Sequence, residues 1–469
     1  MEKNKRGKFS SNLGFVLAAA SSAVGLGNLW RFPYVAAKDG GGLFVFIYII
    51  LALTFGFALV VTEIAIGRKT RKGPIEAFSS VAGSKKWNFL GWLTTAVPFL
   101  ILPYYCVIGG WVLEYGKEYV TGAKNLAGAG AANFFDMFIG EVSAPIICFL
   151  IYMALTTIVI ILGVDKGIER AAKILMPILL VLVLGISIFT MTISHTDENG
   201  VTRTALEGLK VYLIPDISKL TWDSFLKALL DATGQMFYSL SIAMGILIAY
   251  GSYSPKSGDL VDSTNQIEIF DLVVALFAGV IIIPSVFVFQ GYDGLEKSGA
   301  SLMFESLPQV FEQMGAAGNA VGALFFSLVF FAALTSSISL MEAIVSGVID
   351  RFSLERKKAT VLVSIFTTVI GVLVCLGYNV LYFEFPFGEI EGKQLLDVFD
   401  FIANNALLPI AALLICILVG WVIGPDAIIA EIKEGKKGRF KREGLYRVMI
   451  KYVCPVLLVI ILLRALGIL

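Results

Sequence analysis

Residues 18–34 read AAASSAVGLGNLWRFPY. They lie in an apolar run that begins near Leu13 and passes Val35, yet they include Gly25, Gly27, Asn28, Arg31 and Pro33. A plain membrane anchor has no use for such residues. Glycine costs about 1 kcal/mol against alanine inside a helix and accepts backbone angles that other residues refuse. Pro33 has no backbone N–H to donate. The pattern predicts an interrupted helix: helical to about Ser21, unwound through AVGLGN, helical again afterwards. Bare peptide groups at membrane depth are tolerable only where protein or a polar cavity receives them. Carbonyls at such a break suit cations, and the amides that start the second half suit anions. The alternative is a packing kink whose small residues face a neighbouring helix.

The rest of the composition fits a membrane. Of 469 residues, 57% are hydrophobic and only 16% are charged, and the mean hydropathy is +0.83. Apolar runs of about 20 residues recur, each long enough to cross ~30 Å of hydrocarbon. The chain therefore reads as an all-α polytopic membrane protein with no sizeable soluble domain, in contact with membrane lipid. The first run is broken and lacks a small-residue cleavage site, so it is not read as a signal peptide. A net charge of +1 points to no nucleic-acid partner. Cys106, Cys148, Cys375, Cys416 and Cys454 fall in apolar segments at wide spacing and read as small core residues. His195, the one histidine, falls in a loop, which disfavours a histidine metal site or an intramembrane enzyme.

About eleven spans are expected: 11–37, 42–66, 88–116, 143–163, 167–193, 230–252, 265–290, 320–349, 358–380, 397–423 and 447–467. Short loops rich in Lys and Arg alternate with longer mixed ones. The basic set includes the N-terminal segment 1–10 and the loops carrying Arg68 to Lys86, Arg351 to Lys358 and Lys433 to Arg442. By the positive-inside rule, the N-terminus is cytoplasmic and, with an odd count, the C-terminus is extracellular. The sixth span contains GQMFYSLSIAMGILIAYGSY, Gly234 to Tyr253, again with serines and glycines clustered in the middle. Two broken helices five spans apart predict a 5+5 inverted repeat with its site near the bilayer midplane. The halves would be 11–193 and 230–423, with 447–467 as an additional eleventh helix.

AVGLGNLWRFPY also resembles the first-helix signature of the neurotransmitter:sodium symporter family, and further matches recur in order almost to the C-terminus. Eleven spans resemble its bacterial amino-acid transporter branch. The resemblance implies a leucine-transporter-like fold and sodium-coupled symport of a neutral L-amino acid by alternating access at the plasma membrane, by a monomer or weak oligomer. A non-transporting amino-acid sensor on the same scaffold is the other reading.

The resemblance also implies the site. The Leu26 and Gly27 amides and the Tyr105 hydroxyl would hold the substrate carboxylate, and carbonyls of Ala23, Tyr238 and Ser239 the amino group. Ile101, Ser241, Ala243, Met244, Ser336 and Leu340 would face the side chain. Without the resemblance, Tyr105, Ile101 and Leu340 read as helix packing. Ala243 replaces a common glycine and takes pocket volume, while Met244 replaces a phenylalanine of one relative and adapts its shape. A small or medium aliphatic substrate is expected, with larger hydrophobic or aromatic ones as the alternative.

Two sodium ions are implied. The first would use the Ala23 carbonyl, Asn28, Ser239 and Asp271 with the substrate carboxylate. Asp271 is a carboxylate inside the apolar run IFDLVVALFAGVIIIP, which is costly and usually functional. It stands where the family often has asparagine beside a chloride site, so chloride is expected not to be required. Ala275, one turn on, has no donor for an anion. The second sodium would use carbonyls of Ser21, Val24 and Ala332 with the hydroxyls of Thr335 and Ser336, in FFAALTSSISLM. Read alone, such hydroxyls often bond the carbonyl one turn back. Arg31 and Asp400 match an outer gate pair with Tyr238 as lid. Arg6 and Asp350 match an inner pair, and Phe9 replaces a tryptophan plug. Gly167 and Pro177 match a pair that lets the fifth span unwind. Glu63 is expected to bond amides of the broken helices.

Overall fold

A computed structural model describes residues 7–126, 129–197, 200–215, 221–295, 301–387, 390–434 and 440–465. Eight described helical runs are long and apolar enough to cross a membrane, and the bent first span makes nine. One of them, Ser143–Thr190, holds two predicted spans. It joins the 21-residue helices Ser143–Gly163 and Arg170–Thr190 through Gly163 at φ +91°. A wider π turn follows over Val164–Glu169 and contains Gly167. The predicted sixth span is two shorter helices, Trp222–Ser239 and Ile246–Tyr253.

The first span is Asn12–Ala23 followed by Gly27–Lys38, bent by 45°. Its start is fixed by Ser11, whose hydroxyl accepts the Gly14 N–H, an N-cap. The break is narrower than the sequence predicts. Helix persists to Ala23, Val24 turns extended at ψ 100°, and Gly27–Arg31 resumes as a π turn. The wide turn absorbs Gly27 and Asn28 that sequence reading assigns to open chain. The Phe32 N–H closes this turn on the Gly27 carbonyl, which also accepts from the Gln235 side chain at 2.8 Å.

The sixth span breaks over residues 240–245. Ser241, Ala243 and Gly245 all take left-handed angles, at φ +53°, +61° and +69°. Only glycine does so without strain, so the first two must be held from outside. The Ala243 N–H donates to Glu63 Oε1 at 2.6 Å, as expected of Glu63. Ser241 Oγ donates to the Ser22 carbonyl at 3.2 Å. The two broken spans are thus tied to each other, and the sixth also to the second span, Gly42–Thr70.

The remaining spans wall these two in. The third, Asn88–Val120, packs along the eighth, Gly318–Phe352. The seventh runs Leu260–Gly294 and lies against the first half-helix. Arg356–Leu376, Leu395–Val422 and Glu443–Ala465 complete the set. His195 sits in a short hairpin, Ser194–Thr196 paired with Thr202–Thr204, its ring 5.0 Å from Phe289. All five cysteines are buried thiols.

Candidate functional site

The two breaks face each other across a small cavity of about 20 Å³ lined by Ser22, Ala23, Gly25, Gly27, Ile101, Tyr105, Tyr238, Ser241, Met244, Ile246, Ser336 and Leu340. Nine of these are among the twelve predicted substrate contacts. Leu26 reaches the cavity through its amide, which donates to the Tyr105 hydroxyl at 3.1 Å. Ser239 and Ala243 do not line it. Ser239 is turned to Asp271, and the Ala243 amide is turned to Glu63. Ser22, Gly25 and Ile246 were missed. Gly25 lies inside the predicted first break and Ser22 and Ile246 each adjoin one, so taking every residue of each break with one neighbour along the half-helix would have found them.

Gly25 has a reason to be glycine. A Cβ there would lie 2.9 Å from the Tyr105 hydroxyl oxygen, and the Ser336 hydroxyl is nearer still. Ser22 and Ser241 put their hydroxyls 3.2 Å apart. Ile101, Met244, Ile246 and Leu340 are its larger apolar lining residues. The cavity therefore offers amides, carbonyls and hydroxyls together with hydrocarbon.

Asp271 sits fully buried beside it and gathers three spans. Its Oδ1 accepts from the Asn28 amide at 2.8 Å and from the Ser239 hydroxyl at 2.6 Å. Its Oδ2 accepts from Tyr48 at 3.2 Å. Asn28 Oδ1 in turn accepts the Gly25 N–H at 3.1 Å, which leaves the break closed around the carboxylate. Asn28, Ser239 and Asp271 are three of the four residues predicted to hold a first cation. Their oxygens are hard donors that suit sodium. Tyr48 was missed; the signal was a hydroxyl in the middle of GLFVFIYIIL.

The second predicted cation set is brought together in part. Ser336 Oγ lies 3.3 Å from both the Ser22 and Val24 carbonyls, so the eighth span touches the first break. Thr335 Oγ1 donates to Ala332 O at 3.0 Å, one turn back on its own helix. The Ser21 hydroxyl donates to Ala18 O at 2.9 Å, so any ligation by Ser21 is through its carbonyl.

The gates divide. Among the described residues, Arg31 and Asp400 form no ion pair. Asp400 Oδ1 instead accepts from the Tyr104 hydroxyl at 2.8 Å and from Asn404 at 2.7 Å. Arg31 lines a second cavity of about 290 Å³ with Asp231, Asn404, Asn405 and Arg464. Tyr238 lines the small cavity as predicted. At the opposite end, Arg6 lies outside the described residues. Asp350 accepts the Gly73 N–H at 2.5 Å. Phe9 is buried with its ring against Phe15, Tyr250 and Tyr253, at 5.8, 5.7 and 6.2 Å. Tyr253 also donates to Glu342 Oε1 at 2.7 Å, and Glu342 pairs with Arg356.

The model of the sodium:neurotransmitter symporter family matches residues 6–129 and 133–468. This chain belongs to that family. YhdH, a sodium-dependent transporter of Bacillus subtilis, is 35% identical over the whole of both chains. A sodium-dependent transporter of Haemophilus influenzae is 32% identical over 97% of each. The human sodium- and chloride-dependent GABA transporter 2 is 22% identical over 92% of this chain and 75% of its own. The solved structure of MhsT in complex with L-phenylalanine matches 98% of this chain and 100% of its own, with a TM-score of 0.84 and 34% identity. This symporter-family chain is thus a polytopic, sodium-dependent membrane transporter of the leucine-transporter-like fold, not an enzyme.

Proposed function

We propose that this transporter carries a neutral L-amino acid together with sodium by alternating access. The observation that carries the reading is the small cavity between the two breaks, lined by both polar and apolar groups, with Asp271 beside it. The Leu26 and Gly27 amides and the Tyr105 hydroxyl take the carboxylate. Carbonyls of Ala23, Tyr238 and Ser239 take the amino group.

One sodium binds among the Ala23 carbonyl, Asn28, Ser239, Asp271 and the substrate carboxylate. A second binds among Ser21, Val24, Ala332, Thr335 and Ser336. Asp271 supplies the negative charge that other members draw from chloride, so chloride is not required. The two halves, 11–193 and 230–423, rock about this site in the plasma membrane, with the N-terminus inside and the C-terminus outside. Arg31, Asp400 and Tyr238 belong to the outer gate, and Arg6 and Asp350 to the inner one.

One charge crossing 100 mV is worth about 2.3 kcal/mol. Two sodium ions with a zwitterion gain about 4.6 kcal/mol, enough for roughly a thousandfold accumulation at about 1.4 kcal/mol per decade. The small volume of the cavity, about 20 Å³, favours small or medium aliphatic side chains. A specific observation favours a second reading, aromatic substrates: the similar MhsT holds L-phenylalanine. A competition screen of the twenty amino acids against sodium-dependent uptake into proteoliposomes decides between them. Inhibition by none of the twenty contradicts amino-acid transport.

A further inference from the structure

The start of the first span meets the fifth at one buried carboxylate. Glu169 ends the π turn Val164–Glu169, directly before the helix Arg170–Thr190. Its Oε2 accepts the Ser10 N–H at 2.7 Å, and its Oε1 accepts the Ser10 hydroxyl. Lys173, one turn on, pairs with the same Oε1 at 2.7 Å. The buried charge is thus both paired and hydrogen-bonded, as burial demands. Gly14, the third residue of the first helix, makes room for it. A Cβ on Gly14 would overlap Glu169 Oε1 and Cδ.

The same stretch of chain is tied to two further spans. The Phe9 N–H donates to the Tyr253 carbonyl at 3.2 Å, at the end of the sixth span. The Asn12 amide donates to Ser263 Oγ at 3.1 Å, at the start of the seventh. Higher up, the first span meets these spans again at Ser241 and Asp271. The first, sixth and seventh spans are therefore joined to each other at two levels, and Glu169 joins the fifth to them at the lower one. Ser10 lies eleven residues before Ser21, roughly 16 Å along a helix. A path running inward along the first span from the second cation set ends at this contact.

We propose that Glu169 is a positioning residue that latches the inner end of the first span to the fifth: while it holds Ser10 the inner side is shut, and it releases Ser10 when that side opens. This rests on the alternating-access reading. The backbone that carries Glu169 suits a latch. Gly163 at φ +91° and the wide turn after it are irregular, so the turn withdraws the carboxylate while the helix beyond it stays whole. Wide turns of this kind are frequent at functional sites.

The test is backbone hydrogen exchange, followed by mass spectrometry on the purified full-length protein in sodium. Exchange rates report the population of opened states, segment by segment. E169Q removes the charge and one acceptor. G14A keeps the charge but drives the carboxylate off Ser10, and alanine itself suits a helix. In both variants, exchange is expected to quicken about tenfold or more at residues 9–11 and also at 246–253, the inner half of the sixth span, which Glu169 does not bond. The third span, Asn88–Val120, is expected to keep the parent rate. A merely structural anchor frees 9–11 alone. Parent rates at 246–253 in either folded variant overturn the proposal, and so does equal acceleration of all spans in both. If E169Q is not recovered folded, G14A decides by the same criteria. The assay uses no amino acid, so its failure is distinct from failure of the transport reading, which the uptake screen decides.

Discussion

Asn28 and Asp271 meet twice: the Asn28 amide donates to the Asp271 carboxylate at 2.8 Å and to its backbone carbonyl at 3.3 Å. One residue follows the first break and the other lies in the middle of the seventh span. The contact fixes the break against a negative charge, so a cation arriving there finds its anionic partner in place.

Asp271→Asn keeps the shape and removes the charge. Sodium affinity is expected to fall at least tenfold, by about 1.4 kcal/mol, and chloride is expected to restore part of it. Sodium titrations of uptake with and without chloride check both. Unaltered sodium affinity together with continued indifference to chloride would refute this role for Asp271.

Tyr105→Phe removes the hydroxyl that accepts the Leu26 N–H at 3.1 Å. A lost hydrogen bond to a charged group is worth about 1.5–3 kcal/mol. The half-saturating amino-acid concentration should rise roughly tenfold or more, while the thermal midpoint of the purified protein changes little. An unaltered half-saturation would place the carboxylate elsewhere.

Gly25→Ala puts a methyl against Tyr105 and Ser336. Backbone angles at this position stay open to alanine, so the protein should fold and reach the membrane. Amino-acid binding should be lost, measured by scintillation proximity on the purified variant. Retained affinity would mean that the substrate does not sit against the first break.

Ala243→Gly relieves a left-handed alanine at φ +61°, a strain of roughly 1–2 kcal/mol offset partly by glycine's greater chain entropy. Thermal stability should rise or hold, and, because Ala243 does not line the cavity, the order in which amino acids compete should stay the same. A shift of that order towards aromatic amino acids would place the Ala243 methyl in the substrate's space.

Local chemistry made both breaks legible. Gly25, Gly27 and Pro33 in the first span and the Ser–Gly cluster in the sixth disfavour continuous helix wherever the chain puts them. Their limits were not legible, because a π turn takes up Gly27 and Asn28 while remaining helical. Asp271 was legible as a lone carboxylate in hydrocarbon. Its partner Tyr48 and the Gln235 that supports Gly27 come from other spans, and contacts between spans leave no local pattern in sequence. Arg31 and Asp400 show the limit of matching by position. Tyr104 and Asn404 compete for the same carboxylate, and nothing near Asp400 in the chain announces Tyr104.

The central claim is that the zwitterion and a sodium ion share one cradle between two opened helices. The most direct measurement is the affinity of purified protein for its amino acid as sodium is varied at constant ionic strength. Linkage requires each ligand to raise the other's affinity by the same factor. Affinity climbing steeply with sodium, and radiolabelled sodium binding tightened equally by the amino acid, is the predicted result. An amino-acid affinity that does not move with sodium would contradict the account.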